Sequence, residues 1–155
     1  MFAKAENTHR VEQKCMQVGR LPASLRWLCL SAGVVLLALL VVARCLEPSP
    51  SGLGTHQQLG FPACTTILVW GMPCPTCGMT TSWALVVRGE MAAAARANLG
   101  GFLLAIIAIG YLPASCYFFI NGRATSGHWF SQLLAIGVTA AFCVTLLQWA
   151  VRVWL

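Results

Sequence analysis

The chain has 155 residues, of which 58% are hydrophobic and only 9% are charged. An average soluble domain is about 25% charged, so this composition excludes a water-soluble globular protein and predicts an integral membrane protein with the lipid bilayer as its main partner. The formal net charge of +6 does not indicate nucleic-acid binding, because aromatic residues are not interleaved with the basic ones as a single-strand binding surface requires.

The first 26 residues form a basic tail. Half of the ten basic residues of the chain lie in this stretch: Lys4, Arg10, Lys14, Arg20 and Arg26. Basic residues flanking a membrane span favour the cytoplasmic side, beside anionic lipid. We therefore predict a cytoplasmic N-terminus for residues 1–26, followed by one membrane domain over residues 27–155.

Three apolar runs follow the tail, at about residues 27–46, 101–120 and 130–153. A hydrocarbon core of about 30 Å needs about 20 apolar residues per helix, so each run is long enough to cross a membrane. The first run could also be a secretory signal peptide, but the tail before it is long and no small-x-small cleavage site follows. We interpret it as an uncleaved anchor.

The second and third runs each contain two small residues at an interval of four. These are Gly110 and Ala114 in the second run, and Gly137 and Ala141 in the third. Small residues at this spacing let helices approach closely in lipid. The two runs are therefore predicted to pack as a helical hairpin.

Residues 62–98 are predicted to form a cysteine-rich cap at the membrane surface. The stretch 65–70 is too short to span and is expected to be strand-like or re-entrant, although a crossing by residues 64–87 would give four spans instead of three. The hydroxyls of residues 80–82 are expected to cap a helix N-terminus. A second short helix over 90–97 is expected to end at Asn98 and Gly100.

The sequence Cys-Pro-Thr-Cys-Gly at residues 74–78 is the sharpest chemical signal. Cys74 and Cys77 could share a metal ion, and Cys64 and His56 could complete the roughly tetrahedral ligand set of zinc or iron. They could instead be a redox pair, because a helix N-terminus after Cys77 would lower its thiol pKa. In an oxidising compartment a structural disulfide is the third alternative. The spacing leaves all three open.

Few other residues suggest chemistry. Arg88, Glu90 and Arg96 are the only charged residues between Glu47 and Arg123. We interpret them as interface residues that cap helices, with Glu90 able to pair with either arginine. The hydroxyl of Thr80 has no nearby histidine or aspartate in sequence to activate it as a nucleophile.

The sequence contains four features in order: a cysteine ten positions before Cys74, residues 71–80, Glu90 after a glycine, and Asn98 before an apolar run. Together they resemble the bacterial family called domain of unknown function 2752. The resemblance covers about residues 62–120 and implies a small protein of the bacterial cytoplasmic membrane. It implies that the family's motif positions correspond to Cys64, Cys74, Cys77, Gly78, Thr80, Glu90 and Asn98. Two positions depart from the family pattern: Thr81 stands where many members have arginine, and Leu99 stands where proline often follows the asparagine.

These observations predict an all-α membrane protein with three transmembrane helices and a short interfacial helix-turn-helix cap that carries the cysteine turn. The leading functional hypothesis is a non-enzymatic membrane protein whose cap is held by a thiol knuckle, through a metal ion or a disulfide, and which acts with another membrane protein. The alternative is a membrane thiol-disulfide oxidoreductase that uses Cys74 and Cys77. An enzyme of this kind usually needs a second dithiol or a quinone pocket, and the sequence indicates neither.

Overall fold

The structure, a computed structural model, describes residues 21–122 and 129–154. Most of the basic tail and the turn that contains Arg123 lie outside the described residues. Within the described ranges the chain is helical and has no strand, which confirms the all-α prediction. The α-helices in chain order are α1 (Ala23–Cys45), α2 (Thr65–Trp70), α3 (Met79–Val86), α4 (Met91–Ala97), α5 (Leu99–Asn121) and α6 (Trp129–Trp154), with a 3-10 helix at Thr55–Leu59.

Three of these helices are long and apolar enough to cross a membrane. They are Ala23–Cys45, Leu99–Asn121 and the Phe130–Trp154 part of α6, with mean hydropathies of 2.5, 2.1 and 2.0. The predicted three spans are thus confirmed in number for the described part of the chain. The stretch 65–70 forms the six-residue helix α2, so the strand-like alternative is wrong, and α2 is too short to cross a bilayer.

Helices α5 and α6 pack together as expected, and the predicted small residues of α6 face α5, since a Cβ on Gly137 would lie 3.1 Å from the Ile107 side chain. The predicted Gly110 of α5 does not take part. The close approach occurs at Gly100, where an added Cβ would lie 2.5 Å from the carbonyl oxygen of Ala141 and would overlap the Thr145 side chain. Ala141 is fully buried there. Gly110, in contrast, is exposed and has no atom within 4 Å of such a Cβ. The prediction for Gly110 is wrong because its side of α5 does not face α6.

Helices α1 and α5 contact each other at the end of the bundle where the described chain begins. The Arg26 guanidinium donates to the carbonyl oxygen of Phe119, and the Trp27 and Phe119 rings meet edge to face at 4.9 Å. The Leu21 amide donates to the carbonyl of Gly122, which ends α5 in the left-handed conformation. This end contains the start of α1 and the end of α5.

The opposite end of the bundle carries the cap, formed by α2, α3 and α4 with the loop before them. Arg88, just after α3, donates to the carbonyl oxygens of Ala43, Arg44 and Leu46 at the end of α1. Arg152 near the end of α6 donates to carbonyl oxygens at the end of α4. All three spans therefore place one end against the cap, and the cap lies on the opposite side of the bundle from residue 21.

The helix boundaries within the cap differ from those predicted. The N-cap of α3 is Gly78, and residues 80–82 lie inside that helix, where no hydroxyl caps the N-terminus. Asn98 does end α4, but it also begins α5, so Gly100 is inside a helix rather than beyond one. The single residue Asn98 thus joins the cap to the second span.

Candidate functional site

Three sulfur atoms meet at one point of the cap. The Sγ atoms of Cys64, Cys74 and Cys77 all lie within 4.8 Å of one another, and those of Cys74 and Cys77 are 3.2 Å apart. The three cysteines are free thiols in this structure. We call this group the cysteine triad. Its convergence confirms that the three residues are placed to hold a metal ion together.

The triad is assembled from two segments on either side of α2. Cys64 occupies the N-cap position of α2. Cys74 and Cys77 belong to a turn in which the Cys77 amide donates to the Cys74 carbonyl at 3.0 Å, while the Cys74 amide donates to the Cys77 sulfur at 3.3 Å. An amide directed at a sulfur stabilises the thiolate form that metal ligation requires.

Gly78 allows the turn to sit deep in the cap. Its φ of +86° is left-handed, a conformation that glycine adopts without the steric penalty of a Cβ. An added Cβ would lie 2.6 Å from the carbonyl oxygen of Ala97 and 2.9 Å from that of Gly52. The backbone of the preceding loop, the cysteine turn and the end of α4 therefore meet at this residue with no room for a side chain.

Asn98 is the residue that holds the cysteine turn against the bundle. It is only 1% exposed, and its Nδ2 donates to the carbonyl oxygens of Pro75 and Cys77 at 3.1 and 3.2 Å. Its Oδ1 accepts from the Gly101 amide at 2.7 Å and so caps α5. One side chain thus links the turn to the start of a transmembrane helix, a role that its sequence position as a helix terminator did not predict.

Both departures from the family pattern have structural partners. The Thr81 hydroxyl is buried and lies 2.8 Å from the Thr55 hydroxyl, which fixes the 3-10 helix against α3. The Leu99 amide donates to Gln148 Oε1 at 2.7 Å, a bond that proline at this position could not make. Thr81 and Leu99 thus each contribute a hydrogen bond that fixes the cap.

The triad opens on a cavity of about 640 Å³ on the side of the loop before α2. Its lining includes all three cysteines and several uncharged polar side chains, among them Ser49, His56, Gln57 and Thr80. The His56 Nε2 atom lies 3.3 Å from the carbonyl oxygen of Pro62 and is not one of the atoms that converge within 4.8 Å. His56 therefore faces the same cavity as the triad without joining it.

The thiols of the triad differ in acidity. The pKa of Cys64 is lowered to about 6, chiefly by its hydrogen bond with the Thr66 hydroxyl, 3.0 Å from the sulfur, against an opposing effect of burial. The pKa of Cys77 is raised to about 12, first by burial and then by its neighbour Cys74. The expectation of a lowered Cys77 pKa is wrong, because burial and the neighbouring thiols raise it. At neutral pH Cys64 is the thiolate and Cys77 the thiol.

The charged residues of the cap are structural. Arg88 is engaged with carbonyl oxygens at the end of α1 and also with that of Ala84 in α3. Glu90 is exposed at the N-cap position of α4, and in the described part of the chain it forms no ion pair with Arg88 or Arg96. Arg88 thus caps the end of α1, as predicted. The Glu90 side chain makes no capping hydrogen bond, and its suggested pairing with an arginine is absent from the described residues.

Residues 64–112 match the model of a family described as Protein of unknown function (DUF2752). The match confirms the resemblance found in the sequence, and it begins at the first cysteine of the triad and ends within α5. No curated protein matches the chain. No solved structure matches it either.

Proposed function

We propose that the segment shared with the DUF2752 family forms a metal centre at the membrane surface, in which the thiolates of Cys64, Cys74 and Cys77 hold one zinc or iron ion. The observation that carries this proposal is the convergence of three sulfurs from two separate segments within 4.8 Å. A structural disulfide would use only two of the three sulfurs. It gives no reason for the third thiol to lie beside the pair.

The spacing of the triad suits a single ion. Two thiolates bound to zinc at about 2.3 Å with tetrahedral angles lie about 3.8 Å apart. The separations in the triad, from 3.2 Å to at most 4.8 Å, fall on both sides of this value. Small rotations of the side chains would therefore bring all three sulfurs to ligand distance.

The acidity of Cys64 supports ligation. Metal binding requires the thiolate, and the pKa of about 6 makes Cys64 a thiolate before any ion arrives. Cys77, with its pKa near 12, would lose its proton only as the ion binds. An ion would therefore be attracted first to Cys64 and would release a proton on engaging Cys77.

The fourth ligand position would face the cavity. His56 lines that cavity and would complete a Cys₃His site of the structural type after rotating away from Pro62. With His56 remaining where it is, the position would be open to water or to a small molecule, as in catalytic zinc sites with three protein ligands. His56 is thus the residue that separates a closed structural centre from an open one.

The orientation in the membrane follows from the charges. With the basic tail in the bacterial cytoplasm, the cap and its metal centre face the outside of the cytoplasmic membrane, because the cap lies at the opposite end of the bundle. The protein would act there with another membrane protein. Reporters fused to the N-terminus and inserted at Arg123 should both score cytoplasmic, and one fused to the C-terminus should score external.

A thiol-disulfide oxidoreductase is the second candidate. It is favoured by the 3.2 Å separation of the Cys74 and Cys77 sulfurs. Oxidation would join these sulfurs in a disulfide and pass two electrons and two protons to an acceptor disulfide on a partner protein. The reaction would require Cys64 to act beside the pair without being consumed.

Metal analysis combined with thiol alkylation separates these functions. Protein purified without oxygen should contain one zinc or iron ion per chain, and the triad should resist alkylation until a chelator is added. Cys77→Ser should remove the ion, whereas Cys116→Ser, at an exposed thiol of α5, should retain it. Metal-free protein with a Cys74–Cys77 disulfide of intermediate reduction potential would replace the metal proposal with the redox one. A disulfide that resists reduction would leave only a structural role.

A further inference from the structure

An exposed apolar segment of the cap begins just before Cys64 and ends just before Pro73. We call residues 61–72 the apolar finger. Phe61, Leu68 and Trp70 are 61%, 68% and 68% exposed, and none of the residues of α2 is buried. No charged residue occurs between Glu47 and Arg88. Contiguous apolar surface of this kind marks a site of contact with a membrane or a partner.

The base of the finger lies alongside a membrane span. The Trp149 indole Nε1 donates to the carbonyl oxygen of Pro73 at 2.7 Å. Trp149 is five residues before Trp154, the end of α6, which corresponds to about 7.5 Å along the helix axis. The Phe130–Trp154 span of 25 residues is about 37 Å long, compared with a hydrocarbon core of about 30 Å. Trp149 therefore lies near the boundary between hydrocarbon and headgroups, and the base of the finger lies beside it.

The side of α6 that carries Trp149 also exposes apolar residues. Leu146 and Phe142, three and seven residues before Trp149, lie on the same face of the helix and are 39% and 62% exposed. A protein partner would be expected to find polar or charged anchors at the interface, but the finger has no charged residue, and its polar side chains are the two threonines, the Cys64 thiol and the Trp70 indole. Tryptophan, as at Trp70, is typical of the membrane interface.

We propose that the apolar finger inserts into the outer boundary of the same bilayer that the three long helices cross, with Leu68 and Trp70 in contact with lipid. The finger is short, and its far end is held where the Trp149 indole binds the carbonyl oxygen of Pro73. Its insertion places the cysteine triad at the level of the lipid headgroups. Molecules that reach the triad then include those carried in or on the membrane. This inference goes beyond the proposed metal centre and does not require the ion.

Site-specific photocrosslinking in nanodiscs of phosphatidylethanolamine and phosphatidylglycerol tests the inference. A diazirine amino acid replaces Leu68 in one variant and Trp70 in another. If one variant folds poorly, the other still tests the inference. Ile136, 64% exposed within α6, is the lipid-facing control position. Glu90, exposed and charged on the cap, is the water-facing control. Lipid adducts are read by mass spectrometry of the intact protein.

We expect lipid adducts at Leu68 and Trp70 in amounts comparable with those at Ile136. We expect none at Glu90. Water adducts alone at both finger positions would overturn the inference, as would a crosslink to a second copy of the chain or to another protein. The metal content of the same samples is measured separately. Metal-loaded protein without lipid adducts would refute only the insertion of the finger into the bilayer. Lipid adducts on metal-free protein would refute only the proposed metal centre.

Discussion

Replacing Asn98 with alanine should release the cysteine turn from the bundle. The substitution removes the cap of α5, which costs about 1 kcal/mol. It also leaves the carbonyl oxygens of Pro75 and Cys77 without the donor that they share in this buried site, and each unsatisfied acceptor costs about 1–3 kcal/mol. The expected loss of stability is therefore about 3 kcal/mol or more, with most of it arising at the turn.

Two further variants divide this loss into its parts. Asn98→Ser keeps an oxygen that can cap α5 but is too short to reach the two carbonyl oxygens, so it should recover only about 1 kcal/mol of the loss. Asn121→Ala is the matched control, because that asparagine is exposed and, among the described residues, its amide bonds to Tyr117 within the same helix. Its effect should be within about 0.5 kcal/mol.

The assay combines thermal unfolding in detergent with the alkylation rate of Cys77 in metal-free protein. Cys77 is 8% exposed, so it reacts mainly when the turn opens. A local loss of about 3 kcal/mol should raise its alkylation rate about a hundredfold, since each 1.4 kcal/mol corresponds to a factor of ten. If Asn98→Ala left both the unfolding midpoint and the Cys77 rate at wild-type values, the assignment of Asn98 as the residue that holds the turn would be refuted.

Two more expectations concern the turn and its most acidic thiol. Gly78→Ala should cost about 1–2 kcal/mol for the left-handed backbone and about 1–3 kcal/mol more for overlap with neighbouring backbone. Gly71→Ala, at a φ of +66° with no atom within 4 Å of an added Cβ, should cost only the free energy of the left-handed backbone. Equal unfolding midpoints for the two variants would contradict the close packing around Gly78. The alkylation rate of Cys64 in metal-free protein should rise with pH around its pKa of about 6 and level off above it, because the thiolate is the reactive form. Thr66→Val should move that midpoint to higher pH, and a midpoint near 9 for both proteins would show that the hydroxyl has no such effect.

The membrane architecture was predictable from the sequence because it depends on the length and hydropathy of continuous segments of the chain. The runs at 27–46, 101–120 and 130–153 each exceed the length needed to cross a bilayer, and the long helices begin and end within a few residues of them. The cysteine spacing likewise identified the chemical groups of the candidate site. Neither inference depends on which helix faces which neighbour.

Contacts between helices were not predictable in the same way. Gly100 and Gly110 look equally suited to close packing in the sequence, but only Gly100 faces α6, because the rotation of α5 about its axis is set by the chain's passage through Asn98. The acidity of Cys77 has a similar origin. A helix N-terminus predicts a lowered pKa, whereas the packing of α3 and α4 buries the sulfur and raises it.

Hydropathy and residue identity therefore identified three helices long and apolar enough to cross a membrane, together with a group of thiols, since both are read from the residues one segment at a time. Packing between segments distant in sequence brings the sulfur of Cys64 to the other two. It also places Asn98 where it holds the cysteine turn. Packing of this kind depends on side-chain fit and backbone direction at every contact at once. The triad is therefore a property of the folded cap rather than of the cysteine motif alone.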